Sequence, residues 1–225
     1  THQLNVLSGV VTYWTSMVHQ YYIKKFNECW VPDTFNRSLS GKLSENKNLK
    51  TSPKYIGPLS RFSKQTLPIK NDFLIILSGI ESQRKSLENK LVKEFKDYRG
   101  TVVMVRGVIE EMQTERVENG IRIYNYLLAE QLEKEINQSE IIISRSGYSS
   151  IMDIASLNKK AFFIPTKNQT EQEYLARYLQ TQKLAPFVSE KEFVINKLKK
   201  VKDYKGLSVN KAELKKELLS LFERK

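Results

Sequence analysis

Residues 73–77, Phe-Leu-Ile-Ile-Leu, form an apolar run without a polar break. This run limits the fold more than any other stretch of the chain. A strand with one face in water alternates apolar and polar side chains. An unbroken run needs cover on both faces, as in a parallel sheet between two layers of helices. The surrounding stretches keep the same rhythm. Helical spacing over 82–95 is followed by strand patterns at 101–105 and 122–124. A helix at 127–136 precedes the Ile141-Ile142-Ile143 strand at 140–144, and a helix at 149–156, a strand at 160–164 and a helix at 170–182 complete the series. This alternation predicts an α/β fold with a doubly wound parallel sheet. Such sheets take ligands beyond the carboxyl ends of their strands, so the residues directly after each strand are the ones to read for function.

The first third of the chain has a different character. Residues 8–26 place Val10, Val11, Trp14, Met17, Val18, Tyr21, Tyr22 and Phe26 at helical spacing, which predicts a helix with one broad apolar face. That face suits a core or, with Lys24 and Lys25 beside its aromatics, a membrane surface. Short strands are expected at 28–31 and 54–56, with a Ser-, Lys- and Asn-rich loop over 36–53 between them. At the other end, residues 191–225 read as a solvated, lysine-rich pair of helices.

Composition narrows the classes. Forty per cent of the 225 residues are hydrophobic, which excludes a wholly disordered chain. One cysteine, Cys29, and two histidines, His2 and His19, make neither an internal disulfide nor a Cys/His metal cluster. No apolar run reaches the length of a membrane span. A net charge of +12 suits phosphate-bearing ligands, an anionic membrane surface or a nucleic acid. The excess is diffuse and lacks a basic stripe interleaved with aromatics, so no nucleic acid partner is expected.

The strand ends carry the chemistry. Ser78-Gly79-Ile80 follows the first apolar run, and a glycine at a strand-to-helix turn lets backbone N–H groups and the helix dipole approach an anion. Neither a GxxxxGK[ST] nor a GxGxxG pattern is present. Arg145-Ser146-Gly147-Tyr148-Ser149-Ser150 follows the next core strand, with Asp153 about one helical turn further on. Gly147 opens room for a ligand, the hydroxyls and first-turn amides can hold a diphosphate, and a carboxylate at 153 can accept the two hydroxyl protons of a ribose. The alternative is an ordinary Asp on a solvated helix face. After residue 164, Gln172 and Glu173 open a helix and can read sugar hydroxyls, or serve only as polar first-turn residues. Arg61, just past Gly57-Pro58, can grip a phosphate with two N–H groups.

Taken together, residues 144–153 and 164–174 resemble the carboxyl-terminal domain of family 28 glycosyltransferases of the two-domain GT-B type, the family of the UDP-N-acetylglucosamine transferase of lipid II synthesis. That family has an Arg-Ser-Gly at a strand end, a carboxylate six residues past the glycine, and a Gln pair after the next strand. Arg145-Ser146-Gly147, Asp153 and Gln172-Glu173 match in order and spacing. Gly57-Pro58-Leu59-Ser60-Arg61 is similar to the family's domain-junction segment, and His2-Gln3-Leu4-Asn5 to its His-Glu-Gln-Asn. There are departures: Ile80 stands in the family's Gly-Gly-Ser loop, Asp153 replaces a longer Glu, Gln3 replaces Glu, and Glu173 replaces the second Gln. The expected organisation is residues 1–55 as the tail of an acceptor domain and linker, 56–208 as a Rossmann-like nucleotide-sugar domain, and 209–225 as a C-terminal helix. Thr1 is not an initiator methionine, and most of the first domain is expected upstream of it.

The resemblance implies a UDP-sugar donor, with N-acetylhexosamine as the sugar, and transfer to a hydroxyl acceptor with inversion. Arg61, Ser78, Gly79, Arg145, Ser146, Gly147, Ser149, Ser150, Asp153, Gln172 and Glu173 would bind the donor. No cofactor or metal is expected: there is no Asp-x-Asp, and a helix terminus with Arg61 would stabilise the departing diphosphate. The general base would lie upstream, leaving the catalytic group unassigned here and this part of the enzyme inactive alone. Lipid-linked, polysaccharide and small-molecule acceptors stay open, and the basic surface favours a membrane-bound one, at the cytoplasmic face of the inner membrane. Two other readings share the fold: the donor-binding subunit of a split transferase, and a UDP-sugar hydrolase or 2-epimerase.

Overall fold

The structure is a computed structural model that describes residues 18, 21–23, 25–36, 38–44 and 53–209. These fall into two compact units, divided between Leu59 and Ser60 and again between Ser208 and Val209.

In the first unit, β1 (Trp30–Val31) pairs in parallel with β2 (Lys54–Tyr55). Asp33 ends β1 and is fully buried. Its carboxylate accepts the N–H groups of Thr34, Leu39 and Ser40 and the Ser40 hydroxyl, an Asx-type closure of the loop before the 3-10 turn Gly41–Ser44. Of the helix expected over 8–26, residues 18 and 21–23 are described and helical, with Ile23 buried and Val18, Tyr21 and Tyr22 exposed. Its first part, the His2-Gln3-Leu4-Asn5 match and residues 210–225 lie outside the described residues.

The second unit contains β3 (Asn71–Ile76), β4 (Val102–Val105), β5 (Glu115–Glu118), β6 (Ile121–Tyr124), β7 (Ser139–Ser144) and β8 (Lys160–Phe163). Its helices are α1 (Glu81–Glu94), α2 (Ala129–Asn137), α3 (Tyr148–Ser156) and α4 (Thr170–Thr181). The sheet order is β5-β6-β4-β3-β7-β8. Every pairing is parallel except β5–β6. The chain winds outward from β3 through β4 to β6, then crosses back to place β7 and β8 on the other side of β3. The winding therefore reverses between β3 and β7, where a doubly wound sheet opens a crevice for ligands.

The apolar run is buried on both faces, as its lack of alternation requires. Phe73, Ile75 and Leu77 pack with Leu87, Leu91 and Val92 of α1, with Phe95 directly after it, and with Phe193, Leu198 and Val201. On the opposite face, Leu74 and its register partners Val103 and Ile142 are fully buried. Each such side chain contributes about 1.5–3 kcal/mol by leaving water.

Two stretches differ from the sequence-based expectation. β5 was not anticipated. It is an exposed edge strand, Glu-Arg-Val-Glu, so no burial imposes an apolar period on it. Its turn, Asn119-Gly120, has both residues at positive φ, 51° and 78°, the conformation of a tight hairpin. Residues 191–209 are not a solvated helix. Ile195–Asp203 is a 3-10 stretch, and Phe193, Leu198 and Val201 belong to the core.

Candidate functional site

Two glycine corners meet at the reversal point. Ile76 of β3 pairs with Ser144 of β7, and Gly79 and Gly147 each stand three residues beyond that pair. Gly79 has φ +98°, which favours glycine, and Gly147 has an ordinary φ of −71°. A Cβ built on either one meets nothing within 4 Å. Backbone conformation thus accounts for glycine at 79, whereas at 147 glycine provides open space and no more.

The helices that follow both corners start without a side-chain cap. Ile80 precedes α1 and Gly147 precedes α3, and neither supplies a side-chain acceptor. First-turn amides of an uncapped helix are donors awaiting a partner, and the helix dipole adds positive potential there. The Arg84 guanidinium donates to the Gly79 carbonyl at 3.2 Å and pins the first corner. Ser78 and Ser149 are exposed and Ser150 is half-buried. By contrast, α4 is capped from within: the Gln169 side chain accepts the Gln172 N–H at 2.8 Å.

Asp153 is half-buried on α3. The Ser60 hydroxyl donates to its Oδ1 at 2.6 Å, across 93 residues of sequence. Burial pushes its carboxyl above the usual carboxylate range; the Ser60 hydrogen bond and the Arg61 charge pull the other way. The 60–65 segment is fastened to α2. Phe62 is buried, Ser63 N–H donates to Glu133 at 2.9 Å, and Asn137 accepts the Gln65 N–H at 3.0 Å and donates to the Ser63 carbonyl at 3.1 Å. This clamp holds Ser60 and Arg61 near Asp153. The Arg61 guanidinium is exposed and sits 5.0 Å from the centre of the Phe62 ring.

Arg145 and Ser146, expected from the sequence to bind the donor, have their side chains engaged within the protein. Arg145 is 2% exposed. Its Nη1 donates to the carbonyls of Ile164 and Pro165, and its Nη2 to the Gln83 carbonyl and to Glu190 at 2.8 Å. Ser146 is fully buried and donates to the Gln172 carbonyl at 2.8 Å. Both side chains are braces that tie the ends of β7 and β8 to the helices, because burial forces their donors onto protein acceptors. Gln172 and Glu173 turn their acceptor oxygens onto the preceding loop, Gln172 taking the Thr166 N–H at 2.9 Å and Glu173 the Asn168 N–H at 3.0 Å. That leaves the NH2 of Gln172 as a directional donor.

Sequence reasoning passed over Ser60 as a site residue, and the Asn125 side chain altogether. Asn125 is buried at the end of β6. It accepts the N–H groups of Thr114 and Tyr126 and donates to the Met112 carbonyl and Glu110. This amide fastens the loop after β4 to the end of β6, together with the Gln113 side chain, which donates to the Tyr126 carbonyl and bonds Gln131. Among the described residues, no three His, Cys, Asp or Glu side chains are placed to hold a metal ion, and no helix is long and apolar enough to cross a membrane.

The geometry has counterparts in known proteins. Residues 72–218 match the family described as glycosyltransferase family 28 C-terminal domain. Over 151 residues the chain is 26% identical to a UDP-N-acetylglucosamine--N-acetylmuramyl-(pentapeptide) pyrophosphoryl-undecaprenol N-acetylglucosamine transferase of Sulfurihydrogenibium sp. (strain YO3AOP1), covering 63% of this chain and 42% of that protein. Among solved structures, the glycotransferase of kitacinnamycin aligns over 88% of this chain and 54% of its own, at 14% identity and a TM-score of 0.60. The calicheamicin glycosyltransferase CalG4 aligns over 98% of this chain and 57% of its own, at 10% identity and a TM-score of 0.53. At these identities the structures speak for the fold alone. The chain spans about half the length, or less, of the relatives it matches.

Proposed function

The chain belongs to the glycosyltransferase family 28 C-terminal domain family, and from that premise we propose that the crevice beyond β3 and β7 holds the nucleoside diphosphate of a UDP-sugar. The chain would be the donor-binding part of an enzyme that transfers the sugar, an N-acetylhexosamine, to a hydroxyl acceptor with inversion. The observation that carries this reading is the pair of open glycine corners over two uncapped helix starts. In this reading the amides after Gly79 and Gly147, with Ser78, Ser149 and Ser150, bind the diphosphate. Arg61 neutralises its charge as the bond to the sugar breaks, in the place a metal ion would otherwise take. Asp153, steadied by Ser60, accepts the ribose hydroxyls. The NH2 of Gln172 and the carboxylate of Glu173 face the sugar, and Arg145 and Ser146 act only by holding the loops. The general base comes from outside this stretch of chain, and the acceptor is a lipid-linked one at the cytoplasmic face of a membrane.

A thermal-shift series with UDP, GDP and dTDP tests the donor class. UDP should raise Tm at concentrations where GDP and dTDP do not, since a ligand stabilises the folded state only once its concentration exceeds its Kd, and then logarithmically. Equal shifts for all three would remove the uridine part of the proposal, and no shift with any of them would remove the nucleotide site itself.

A further inference from the structure

A second cleft, of about 750 Å³, borders the Arg145 brace. It lies between α1, the loop after β8, α4 and residues 187–191, and none of Gly79, Gly147, Asp153 and Arg61 lines it. Its charge is lopsided. Lys90, Arg145, Lys167, Arg177 and Lys191 face two carboxylates, Glu173 and Glu190. Both carboxylates are already engaged. Glu190 takes Arg145 at 2.8 Å and the Ser86 hydroxyl at 2.6 Å. Glu173 takes the Asn168 N–H and stands 4.0 Å from Arg177. Lys90 is 3.6 Å from Glu94. Lys167 and Lys191 make no ion pair among the described residues, although, after the Ser189 hydrogen bond, the charge of Lys191 helps to hold the Glu192 carboxyl below its usual range. Ser82 and Gln83, in the uncapped first turn of α1, form one wall. Unspent positive charge in a concave site with ample room for a sugar or a phosphate group draws an anion.

We propose that this cleft binds a phosphate- or carboxylate-bearing group of the substrate, carried either by the transferred sugar or by the acceptor. The link to the substrate rests on the donor-site reading above; the anion site itself does not. Glu173, placed at the sugar in the reading above, lines the cleft together with Lys167, and this shared wall is what would connect an acid on the donor sugar to that lysine.

The test is an amide-resolved NMR titration of the chain with inorganic phosphate, repeated on a Lys167→Gln/Lys191→Gln double variant. Both lysines are exposed, so Tm should be unchanged. Saturable shifts at Ser82, Gln83 and Lys167 that weaken by ~tenfold or more in the variant support the site. Shifts of equal size in wild type and variant, or spread over surface lysines without saturation, mean an adventitious ion only and overturn it. Two further arms locate the anion. UDP-glucuronate binding more tightly than UDP-glucose, with the preference lost in the variant, puts it on the sugar. Equal binding of the two, with phosphate still lost in the variant, puts it on the acceptor. UDP measured alone separates failure of this cleft from failure of the nucleotide site.

Discussion

The two ends of the parallel sheet treat their polar groups in opposite ways. At the amino-terminal end every group named here has found a partner in the protein. Asp72 accepts the Tyr98 hydroxyl and the Thr101 N–H, each at 2.9 Å. Burial and the Asp72 carboxylate together push the Tyr98 phenol up to about 12. Asn71 bridges Glu135 and Ser139, and Lys159 donates to the carbonyls of Asn137 and Ser139. Gly100 is there because the protein fills its side-chain space: a Cβ would lie 1.9 Å from Asp72 Oδ2. At the carboxyl end Gly147 faces empty space, the starts of α1 and α3 have no side-chain cap, and a carboxylate is half-buried with a single hydroxyl donor. Buried polar groups are normally satisfied. An end that leaves its donors open is an end prepared for a ligand, and a glycine can mark either case depending on what occupies the place of its Cβ.

Four substitutions would break or sharpen this contrast. The largest effect is expected for Arg145→Met, which belongs with the satisfied groups despite its position. Removing a buried guanidinium, which leaves three carbonyls and one Glu190 oxygen without their donor, should cost ~3–5 kcal/mol in urea unfolding. A stable Arg145→Met protein that has lost UDP binding would move Arg145 to the ligand side. Next is Gly100→Ala. Displacing Asp72 from its two bonds should cost about 1–3 kcal/mol and leave the UDP affinity unaltered. Gly147→Ala should do the reverse, with stability falling by less than ~1 kcal/mol and UDP affinity by about tenfold in calorimetry. If Gly147→Ala unfolds the protein and Gly100→Ala weakens UDP, the contrast is wrong. The smallest effect is a pH trend. The Asp153 carboxyl is raised by burial, so its favourable contribution is present below the ordinary carboxylate value and is lost as pH rises through the folded value. Asp153→Asn should therefore match the wild-type Tm at acid pH and exceed it slightly toward neutrality. A variant whose Tm falls below that of the wild type as pH rises would show that Asp153 is held as a charged structural group.

The sheet was legible in the sequence because burial on two faces writes continuous apolar runs, and residues 73–77 and 141–143 are such runs. β5 was not, because an exposed edge strand carries no such mark; the Asn119-Gly120 turn was its only signal. The core role of Phe193, Leu198 and Val201 was masked by the lysines between them. Of the site, the strand-end glycines and Asp153 could be read from spacing. Ser60 could not, because its partner is 93 residues away. The burial of Arg145 could not either, since a strand-end arginine reads the same whether it faces a ligand or four protein acceptors.

The most direct test of the carboxyl-end crevice is calorimetric titration of the chain with UDP, run beside Asp153→Ala. The account predicts one-to-one binding by the wild type and an affinity lower by ~10–100-fold in the variant, the range for removing the acceptor of two ligand hydroxyls. Equal UDP affinity in the two proteins would contradict the role of Asp153 and, with it, the placement of the nucleotide between β3 and β7.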